Sequence, residues 1–378
     1  MKKDNDIDKI RAEIDFIDLQ IMQWLSKRGK CAQNIGKIKK GDGKNVYVPL
    51  REKQIFASLL HKNMGPYSHK AVQAIFQEII TQTRALEKLR DEKQEAYLYN
   101  QVSIIGVGMI GGSIGRDLIK KKIAKNVYGI DANPRTLLWA KKNRVITEIA
   151  KDEIQTLMNS DLVVFATPVC VIKEQLLDFA PFISDKALVI DVGSTKTAIT
   201  KIADKCFTNG NFVGSHPMAG FEKSGVTASS DNLFYQEPCI IISGLKTKKT
   251  FIRQAKMFWK QLGANVLEMD FRIHDKYLAA CSHLPHIISF ALMASVGNKI
   301  TPKEIKKIVG NSFKSYTRIA GSDPRMWTDI FSENKNEVLK QVTLLKKELE
   351  VLASRVQQSD GNKIYEYIED AAKLWRKI

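Results

Sequence analysis

The sequence contains few cysteines, and their spacing gives no sign of a disulfide or a metal site. The five, Cys31, Cys170, Cys206, Cys239 and Cys281, lie far apart and form no CxxC pair. This pattern argues against a disulfide framework and a zinc ribbon, and it is typical of free thiols in a reducing compartment. We predict no metal site.

Long apolar runs are also missing, and so is a secretory signal. No stretch of 18 or more apolar residues occurs, and the first fifteen residues carry charges throughout. We therefore expect a cytoplasmic protein with no membrane partner. The 378 residues exceed what one hydrophobic core usually holds, so two or three domains are expected.

The sequence has fewer acidic than basic residues. There are 59 Lys and Arg but only 41 Asp and Glu, which gives a formal net charge of +18. The basic residues are spread along the whole chain, without a long basic tail or zinc-finger spacing. Such a surface favours small anionic ligands, and nucleic acid is the less favoured partner.

A heptad seam marks the first forty residues. Apolar residues recur three and four apart from Ile7 to Ile38, which predicts a long helix that packs on another. Arg28 occupies one seam position, between Trp24 and Cys31. A charge at such a position needs an anionic partner, either a nearby glutamate or a bound ligand.

Two further helices are predicted in this part of the chain. Pro49 precedes Arg51 and Glu52 at the first turn of one, and Thr83 and Glu87 lie one turn apart on the other. With these residues in place, the segment 5–92 resembles the all-helical chorismate mutases, which pair into intertwined dimers. The residues at family spacing are Arg11, Arg28, Lys39, Arg51, Glu52, Thr83 and Glu87.

The resemblance implies that three arginines hold the carboxylates of chorismate, and that Lys39 and Glu87 flank the ether oxygen whose bond breaks. The three arginines are Arg11, Arg28 and Arg51. The resemblance also implies that Glu52 and Thr83 contact the substrate. The rearrangement to prephenate needs only a compact substrate conformer, with fixed cations or donors at the ether oxygen. Arg11 and Arg28 are 28 − 11 = 17 residues apart, roughly 25 Å along one helix, so both serve one site only in a homodimer.

Two residues depart from the pattern of this family. Val48 stands where many members have Asp, and Glu87 stands where some have Gln. An ionised carboxylate would repel the charge that develops on the ether oxygen, so we expect Glu87 to work protonated. The alternative is an N-terminal unit that is not catalytic and serves in regulation or dimerisation.

After a short polar linker the pattern changes to that of a dinucleotide-binding fold. A buried strand from Val102 runs into G-x-G-x-x-G and a helix, and Asp131 closes the next strand 20 residues beyond the third glycine. This arrangement predicts NAD, although Arg135 leaves NADP open. The predicted cofactor-binding residues are Gly106, Gly108, Met109, Ile110, Gly111, Asp131, Thr167 and Pro168.

Polar residues follow several later strands, including Ser194 and His216. Because parallel strands end at one edge of a sheet, we expect these side chains in one crevice, with Ser194 hydrogen-bonded to His216. His216 is the predicted base, although a histidine before Pro217 could simply cap the strand. After residue 268 the pattern is helical, which favours a dimerisation or lid domain.

Residues 101–378 resemble the prephenate dehydrogenases. The motifs that carry the resemblance are GVGMIGGS, DVGSTK, GSHPMAGFEKSG, HDK, SHLPH and YTRIAGSDPRMW. It implies NAD-dependent oxidative decarboxylation of prephenate to 4-hydroxyphenylpyruvate, with His216 as base, Ser194 as its orienting group and Arg318 on a substrate carboxylate. The other residues implied in the pocket are His283, His286, Lys314 and Glu222.

The expected fold is therefore multidomain. An all-α mutase domain (1–93) and a linker (94–100) precede an α/β Rossmann-like domain (101–268) and a helical substrate and dimerisation domain (269–378). The family habit of feedback inhibition by tyrosine is a further expectation. Phe221 and Ser315 depart from some relatives and leave arogenate open as the substrate.

Overall fold

A computed structural model describes residues 2–41, 49–87, 97–220 and 224–377. The chain forms two compact units, Met1–Glu95 and Ala96–Ile378. The first unit consists of three helices: α1 (Lys2–Gly41), α2 (Pro49–His61) and α3 (His69–Glu87). Both α1 and α2 pack against α3.

The apolar seam of α1 is largely exposed in the single chain. Ile10, Ile14, Ile21 and Trp24 are 59%, 52%, 49% and 65% exposed. Burying such a row of large apolar side chains is what drives helices to pair, so this face has the character of an interface between helices.

The second unit begins with alternating strands and helices. In chain order these are β1 (Tyr99–Ile105), α4 (Met109–Lys120), β2 (Ala124–Ile130), α5 (Pro134–Lys142), β3 (Glu148–Ile149), α6 (Glu153–Met158), β4 (Leu162–Phe165), α7 (Val169–Phe179), β5 (Leu188–Asp191), α8 (Thr197–Cys206), β6 (Phe212–Pro217), β7 (Pro238–Ser243), α9 (Lys249–Leu262) and β8 (Asn265–Asp270). One eight-stranded sheet results, in the order β3-β2-β1-β4-β5-β6-β7-β8. The strands β1 to β6 are parallel, whereas β7 is antiparallel to β6.

The core lies on both faces of this sheet because successive residues of a strand point to opposite sides. Ile104 and its neighbour Val164 belong to one apolar cluster, while Ile105 and Phe165 belong to the other. The helices that follow the strands cover both faces. The Rossmann-like architecture expected from the sequence is confirmed.

The rest of the unit is helical: α10 (Phe271–Leu278), α11 (Leu284–Gly297), α12 (Pro302–Ile308), α13 (Asn311–Thr317), α14 (Pro324–Glu333), α15 (Lys335–Gln357) and α16 (Gly361–Trp375). Local signals define several starts. Thr301 and Glu304 form a capping box at α12, and the Asp323 carboxylate accepts from two backbone N–H groups at α14.

The sequence predicts separate helices near 271–281 and 287–296, but α10 and α11 form one run joined by a π-helical turn, Ala279–His283. Pro285 contributes to the formation of this π-helical turn, because it has no N–H to donate in the first turn of α11. A π turn inserts one residue into a helix and changes which side chains face inward. His283, in this turn, is buried.

The run Phe271–Gly297 bears on the expectation that the protein has no membrane partner. Its 27 residues are long and apolar enough to cross a bilayer by length and composition alone, with a mean hydropathy of 1.4 over the most apolar window. One such helix is weak evidence for a span, because core helices of soluble proteins and signal sequences pass the same test.

Candidate active site

Five predicted site residues lie at one edge of the sheet. Gly106 directly follows β1, and Asp131 directly follows β2. Thr167 lies two residues beyond β4, and Ser194 lies three residues beyond β5. His216 is the penultimate residue of β6. Because β1 to β6 are parallel, these positions share the carboxyl edge, where open α/β sheets bind their ligands.

The glycine loop after β1 has the shape of a phosphate cradle. Gly106 has φ +91°, and a Cβ there would lie 2.7 Å from the backbone of Thr167. A Cβ on Gly111 would lie 2.1 Å from the Gly106 carbonyl oxygen, so helix and strand pack backbone to backbone. A Cβ on Gly108, the N-cap residue of α4, would meet nothing within 4 Å. The open side of the cradle is therefore at the helix N-terminus, which suits a diphosphate.

The other predicted cofactor residues surround this cradle. The Asp131 carboxylate accepts hydrogen bonds from the backbone N–H groups of Val107 and Asn133, both at 2.9 Å, which hold it beside the loop. The Thr167 hydroxyl donates to Gln175 at 2.6 Å. The helix starts complete the set: Met109 and Ile110 open α4, and Pro168 is the N-cap of α7. The loop, the helix end and the acidic residue fit NAD.

His216 has a different partner from the one predicted. Its Nδ1 lies 2.9 Å from Nε2 of His274, and Nδ1 of His274 lies 2.8 Å from Oδ1 of Asp275. Within the described parts of the chain, Ser194 forms no hydrogen bond with His216. The expected Ser194–His216 pair is wrong for this structure, because α10, which packs against α8 and β8, places His274 against the imidazole Nδ1.

Asp275 is anchored by the start of α8. Its two carboxylate oxygens accept from the backbone N–H groups of Lys196 and Thr197, both at 2.8 Å. Burial raises the pKa of this carboxyl, but the hydrogen bonds from His274, Thr197 and Lys196 outweigh burial and hold the pKa at about 2. Asp275 is therefore ionised at neutral pH.

A buried ion pair lies beneath His216. Lys196 and Asp191 are fully buried in contact with each other, and the Lys196 ammonium also donates to the Ser215 carbonyl at 2.8 Å. Burial, and then the electrostatic effects of the neighbouring His274 ring and the Lys196 ammonium, lower the pKa of His216 well below its usual value. The imidazole of His216 is therefore neutral, as a proton acceptor must be.

Sequence reasoning missed His274 and Asp275, although a signal was present. Phe271, His274, Asp275 and Leu278 are the buried residues of α10 and share one face. Two titratable residues on an otherwise apolar helix face indicate a buried polar network.

The predicted histidines of the C-terminal helices lie close to this network. His283 Nδ1 is 3.2 Å from the side-chain amide nitrogen of Asn334, which donates to the Asp275 carbonyl at 2.7 Å. The His286 ring stacks on Trp327, with 3.6 Å between centroids. Burial lowers the pKa of His283 to about 4. Burial and the nearby Arg318 guanidinium also lower the pKa of His286, so both rings are neutral.

Lys314 lines a cavity of about 430 Å³ between α11 and α13. The other lining residues are mostly apolar: Phe290, Met293, Val309, Phe313, Thr317, Ala320 and Gly321. Arg318 follows α13 directly, at the start of a 3₁₀ turn. A small cavity with one cation and aromatic walls suits an aromatic or cyclohexadienyl acid. Glu222 and Phe221 lie outside the described residues.

In the first unit, two predicted mutase residues meet. The half-buried Arg28 donates from Nη1 to the Thr83 hydroxyl and, at 3.4 Å, to the Ile79 carbonyl of α3. Arg11 does not join them, since it is exposed and pairs with Asp8 at 3.3 Å. Both arginines lie on the unbroken helix α1, as the spacing argument requires. The side chains of four other predicted residues lie outside the description: Lys39, Arg51, Glu52 and Glu87.

Three protein families match consecutive parts of the chain. They are described as chorismate mutase type II, over residues 10–88; prephenate dehydrogenase, nucleotide-binding domain, over 114–268; and prephenate dehydrogenase, dimerization domain, over 271–370. The last range contains the apolar run Phe271–Gly297.

Individual relatives agree with this division. A prephenate dehydrogenase of Bacillus subtilis is 33% identical over 276 residues, which cover 71% of this chain and 74% of the relative. The T-protein of Haemophilus influenzae is 21% identical over 351 residues, 89% of this chain and 84% of that protein. The crystal structure of Aquifex aeolicus prephenate dehydrogenase with hydroxyphenyl propionate and NAD⁺ has a TM-score of 0.68 and 34% identity, covering 74% of this chain and 97% of that one.

Proposed function

Because the chain belongs to the prephenate dehydrogenase family and carries a type II chorismate mutase domain ahead of it, we propose which of its residues carry out each of two reactions. The protein is a bifunctional, dimeric enzyme of tyrosine biosynthesis. It rearranges chorismate to prephenate and oxidatively decarboxylates prephenate to 4-hydroxyphenylpyruvate with NAD⁺.

In the dehydrogenase, His216 accepts the proton of the ring hydroxyl. The observation that carries this proposal is the neutral imidazole at the carboxyl end of β6, held through Nδ1 by His274. Within the described residues no hydrogen bond engages Nε2, so this nitrogen can face the substrate. NAD⁺, when bound, accepts the hydride from the carbon that bears the hydroxyl. Ser194 is half-buried at the same edge and donates to or accepts from that hydroxyl.

The carboxylates of prephenate bind on the helical side of the crevice. Arg318 provides the bidentate donor that a carboxylate prefers. Lys314 adds a second cation on the cavity wall, which suits a substrate with two carboxylates. His283 and His286 complete the pocket, and their neutral rings contact the cyclohexadiene. Glu222 is proposed with them from the sequence alone.

The cradle and its neighbours hold the cofactor. Gly106, Gly108 and Gly111, with Met109 and Ile110, bind the diphosphate through backbone N–H groups. The Asp131 carboxylate accepts from the ribose hydroxyls. Thr167 and Pro168 follow β4, and we assign them to the nicotinamide half of the cofactor.

For the mutase, Arg28 and Thr83 contribute to a site that Arg11 of the partner subunit completes. The contact between Arg28 and Thr83 and the exposed seam of α1 support this proposal. Lys39, Arg51, Glu52 and Glu87 are the other members proposed for this site. Fixed cations and donors are sufficient for a rearrangement that transfers no proton.

Absorbance at the NADH band tests both activities in one experiment. Purified protein receives NAD⁺ with chorismate, with prephenate or with arogenate, and we expect reduction with the first two. His216→Asn should leave only a small residual rate of reduction from either substrate, whereas Arg28→Ala should abolish only the reaction from chorismate. For Arg318→Ala we expect the prephenate KM to rise at least about tenfold with little change for NAD⁺. Reduction from prephenate but never from chorismate would make the first unit regulatory or structural, and preference for arogenate would change the substrate.

We further propose that tyrosine inhibits the dehydrogenase and that the enzyme works in the cytoplasm. Tyrosine carries the phenol ring and one carboxylate of a product-like ligand, so it should compete with prephenate in steady-state kinetics. The proposed domain limits are 1–93, 94–100, 101–268 and 269–378. Limited proteolysis should cut first within 94–100.

A further inference from the structure

We propose that His274 and Asp275 are positioning residues of the dehydrogenase reaction, which set the tautomer of His216 and take over the proton that it accepts. The inference rests on the proposed role of His216 as the base. It concerns the far side of the imidazole from the substrate, where no other group has been given a role.

The hydrogen bonds determine which ring nitrogens of His274 and His216 carry a proton. Asp275 is ionised and can only accept, so Nδ1 of His274 must carry the proton of their 2.8 Å contact. Nε2 of the neutral His274 is then an acceptor, and Nδ1 of His216 must donate across 2.9 Å. The second nitrogen of His216, Nε2, is consequently unprotonated. Only this tautomer leaves a lone pair for the substrate hydroxyl.

The hydrogen-bonded series His216, His274 and Asp275 is anchored by burial and by further hydrogen bonds. His274 is fully buried, and Asp275 receives backbone N–H groups from the first turn of α8. The side-chain amide of Asn334 also donates to the Asp275 carbonyl at 2.7 Å. The start of α8 therefore holds the carboxylate and Asn334 holds the backbone of the same residue, which favours a fixed tautomer over a chance contact.

The relay also has a use during the reaction. The substrate hydroxyl proton moves to Nε2 of His216, the proton on Nδ1 of His216 moves to Nε2 of His274, and the positive charge comes to rest beside Asp275, which stays ionised. The C–H electron pair leaves as hydride to NAD⁺, and a carbonyl forms at that carbon. When CO₂ leaves, the electrons of its C–C bond aromatise the ring, and the protons return along the same path to the ring oxygen. Protons and electrons therefore balance without a further reactant.

The charges around His216 predict the direction of a pH effect. The titratable groups that face it from neighbouring elements are Asp191, Lys196, Cys239, His274, Asp275 and His283. Burial dominates the low pKa of His216, and the Asp275 carboxylate opposes it. Removing that negative charge should lower the pKa further. The acidic limb of kcat/KM then moves to lower pH, because the base is lost only when pH falls below its pKa.

The test uses two substitutions that differ only in what they offer His216. His274→Phe fills the space without an acceptor, whereas His274→Gln places a carbonyl oxygen near the position of Nε2. We expect His274→Phe to lower kcat about 100-fold, with the KM for prephenate and for NAD⁺ within about threefold of wild type. His274→Gln should recover at least about tenfold of this loss, since it restores the acceptor but not the proton transfer.

Asp275→Asn and a matched control test the charge. Asp275→Asn should lower kcat and move the acidic limb down by about half a pH unit or more. Asp270→Asn makes the same chemical change at the exposed N-cap of α10, away from His216, and should leave kcat and the limb unchanged. Retained NAD⁺ binding in every variant shows that the fold is intact.

A double-mutant cycle separates positioning from general damage. In a His216→Asn background, His274→Phe should cause less than about a twofold further loss, because its target is already gone. The inference is overturned if His274→Phe alone changes kcat less than about threefold, if Gln is no better than Phe, or if the loss persists in the His216→Asn background. A rate close to wild type in His216→Asn would instead overturn the proposed base itself, a result visible without any His274 variant.

Discussion

Two glycines of the nucleotide loop should differ in their response to the same methyl group: one substitution should weaken NAD⁺ binding alone, and the other should lower stability too. At Gly108 an added Cβ meets nothing within 4 Å, and the φ of −80° is one that alanine adopts. Stability should therefore change by no more than about 1 kcal/mol. The methyl group would fill the space at the N-terminus of α4 that we assign to the diphosphate. NAD⁺ affinity should fall about 10- to 100-fold, or about 1.4 to 2.8 kcal/mol.

At Gly111 the Cβ would lie 2.1 Å from the Gly106 carbonyl oxygen and 3.0 Å from Ile104. Ordinary contact requires about 3.4 Å or more, so helix α4 must move away from β1 by about 1 Å. Overpacking of this kind costs about 1 to 3 kcal/mol of folding free energy. The clash is between the Cβ and a backbone carbonyl oxygen, which cannot rotate away as a side chain could. Gly111→Ala should therefore lower the unfolding midpoint by several degrees and weaken NAD⁺ binding as well.

The assay combines thermal unfolding of the ligand-free protein with NAD⁺ titration by calorimetry. Gly361→Ala is the control, because its Cβ also meets nothing within 4 Å but the residue opens α16, far along the chain from the loop. The control should match wild type in both measurements. If Gly108→Ala binds NAD⁺ within about twofold of wild type, the space at Gly108 does not hold the diphosphate.

Three other predictions concern the mutase site, the base and the buried ion pair. Co-expressed Arg11→Ala and Arg28→Ala chains should regain about a quarter of wild-type mutase activity, because half of the dimers are hybrids with one intact site; no recovery would place both arginines in one chain's site. Since burial, followed by the charges around it, lowers the pKa of His216, kcat/KM should stay constant as pH falls through about 6.5 and decline only below it; a limb at or above that pH refutes this. Lys196→Met should destabilise the dehydrogenase unit by about 3 to 5 kcal/mol in urea unfolding because Asp191 is left buried and unpaired. Adding Asp191→Asn should recover part of the loss, and simple additivity of the two changes would argue against coupling.

Much of the dehydrogenase fold could be predicted from sequence because its signals are local. The buried strand at Val102, the glycine spacing and Asp131 lie within 30 residues, and each acts through its own backbone. The long helix α1 followed in the same way from its heptad spacing. The π turn before α11 was missed, because a one-residue insertion hardly disturbs an apolar pattern.

The candidate site was harder to predict where a partner lies far along the chain. Ser194 and His216 both follow strands, which suggested a pair, but proximity at a sheet edge does not determine which groups bond. His274 is 58 residues from His216, and their contact depends on how α10 packs against α8 and β8. The motif HDK was visible in the sequence, but its two titratable side chains gained a meaning only from their burial.

The sequence by itself determined the order of the domains and the nucleotide loop, and it indicated the proposed base, since spacing and residue type act over short distances. Only the tertiary structure decided the acceptor for Nδ1 of His216, the anchoring of Asp275 and the pairing of Arg28 with Thr83. These contacts join residues that are 55 to 79 positions apart. They form only when the packing of helices against the sheet, or against each other, removes water and leaves each polar group one available partner.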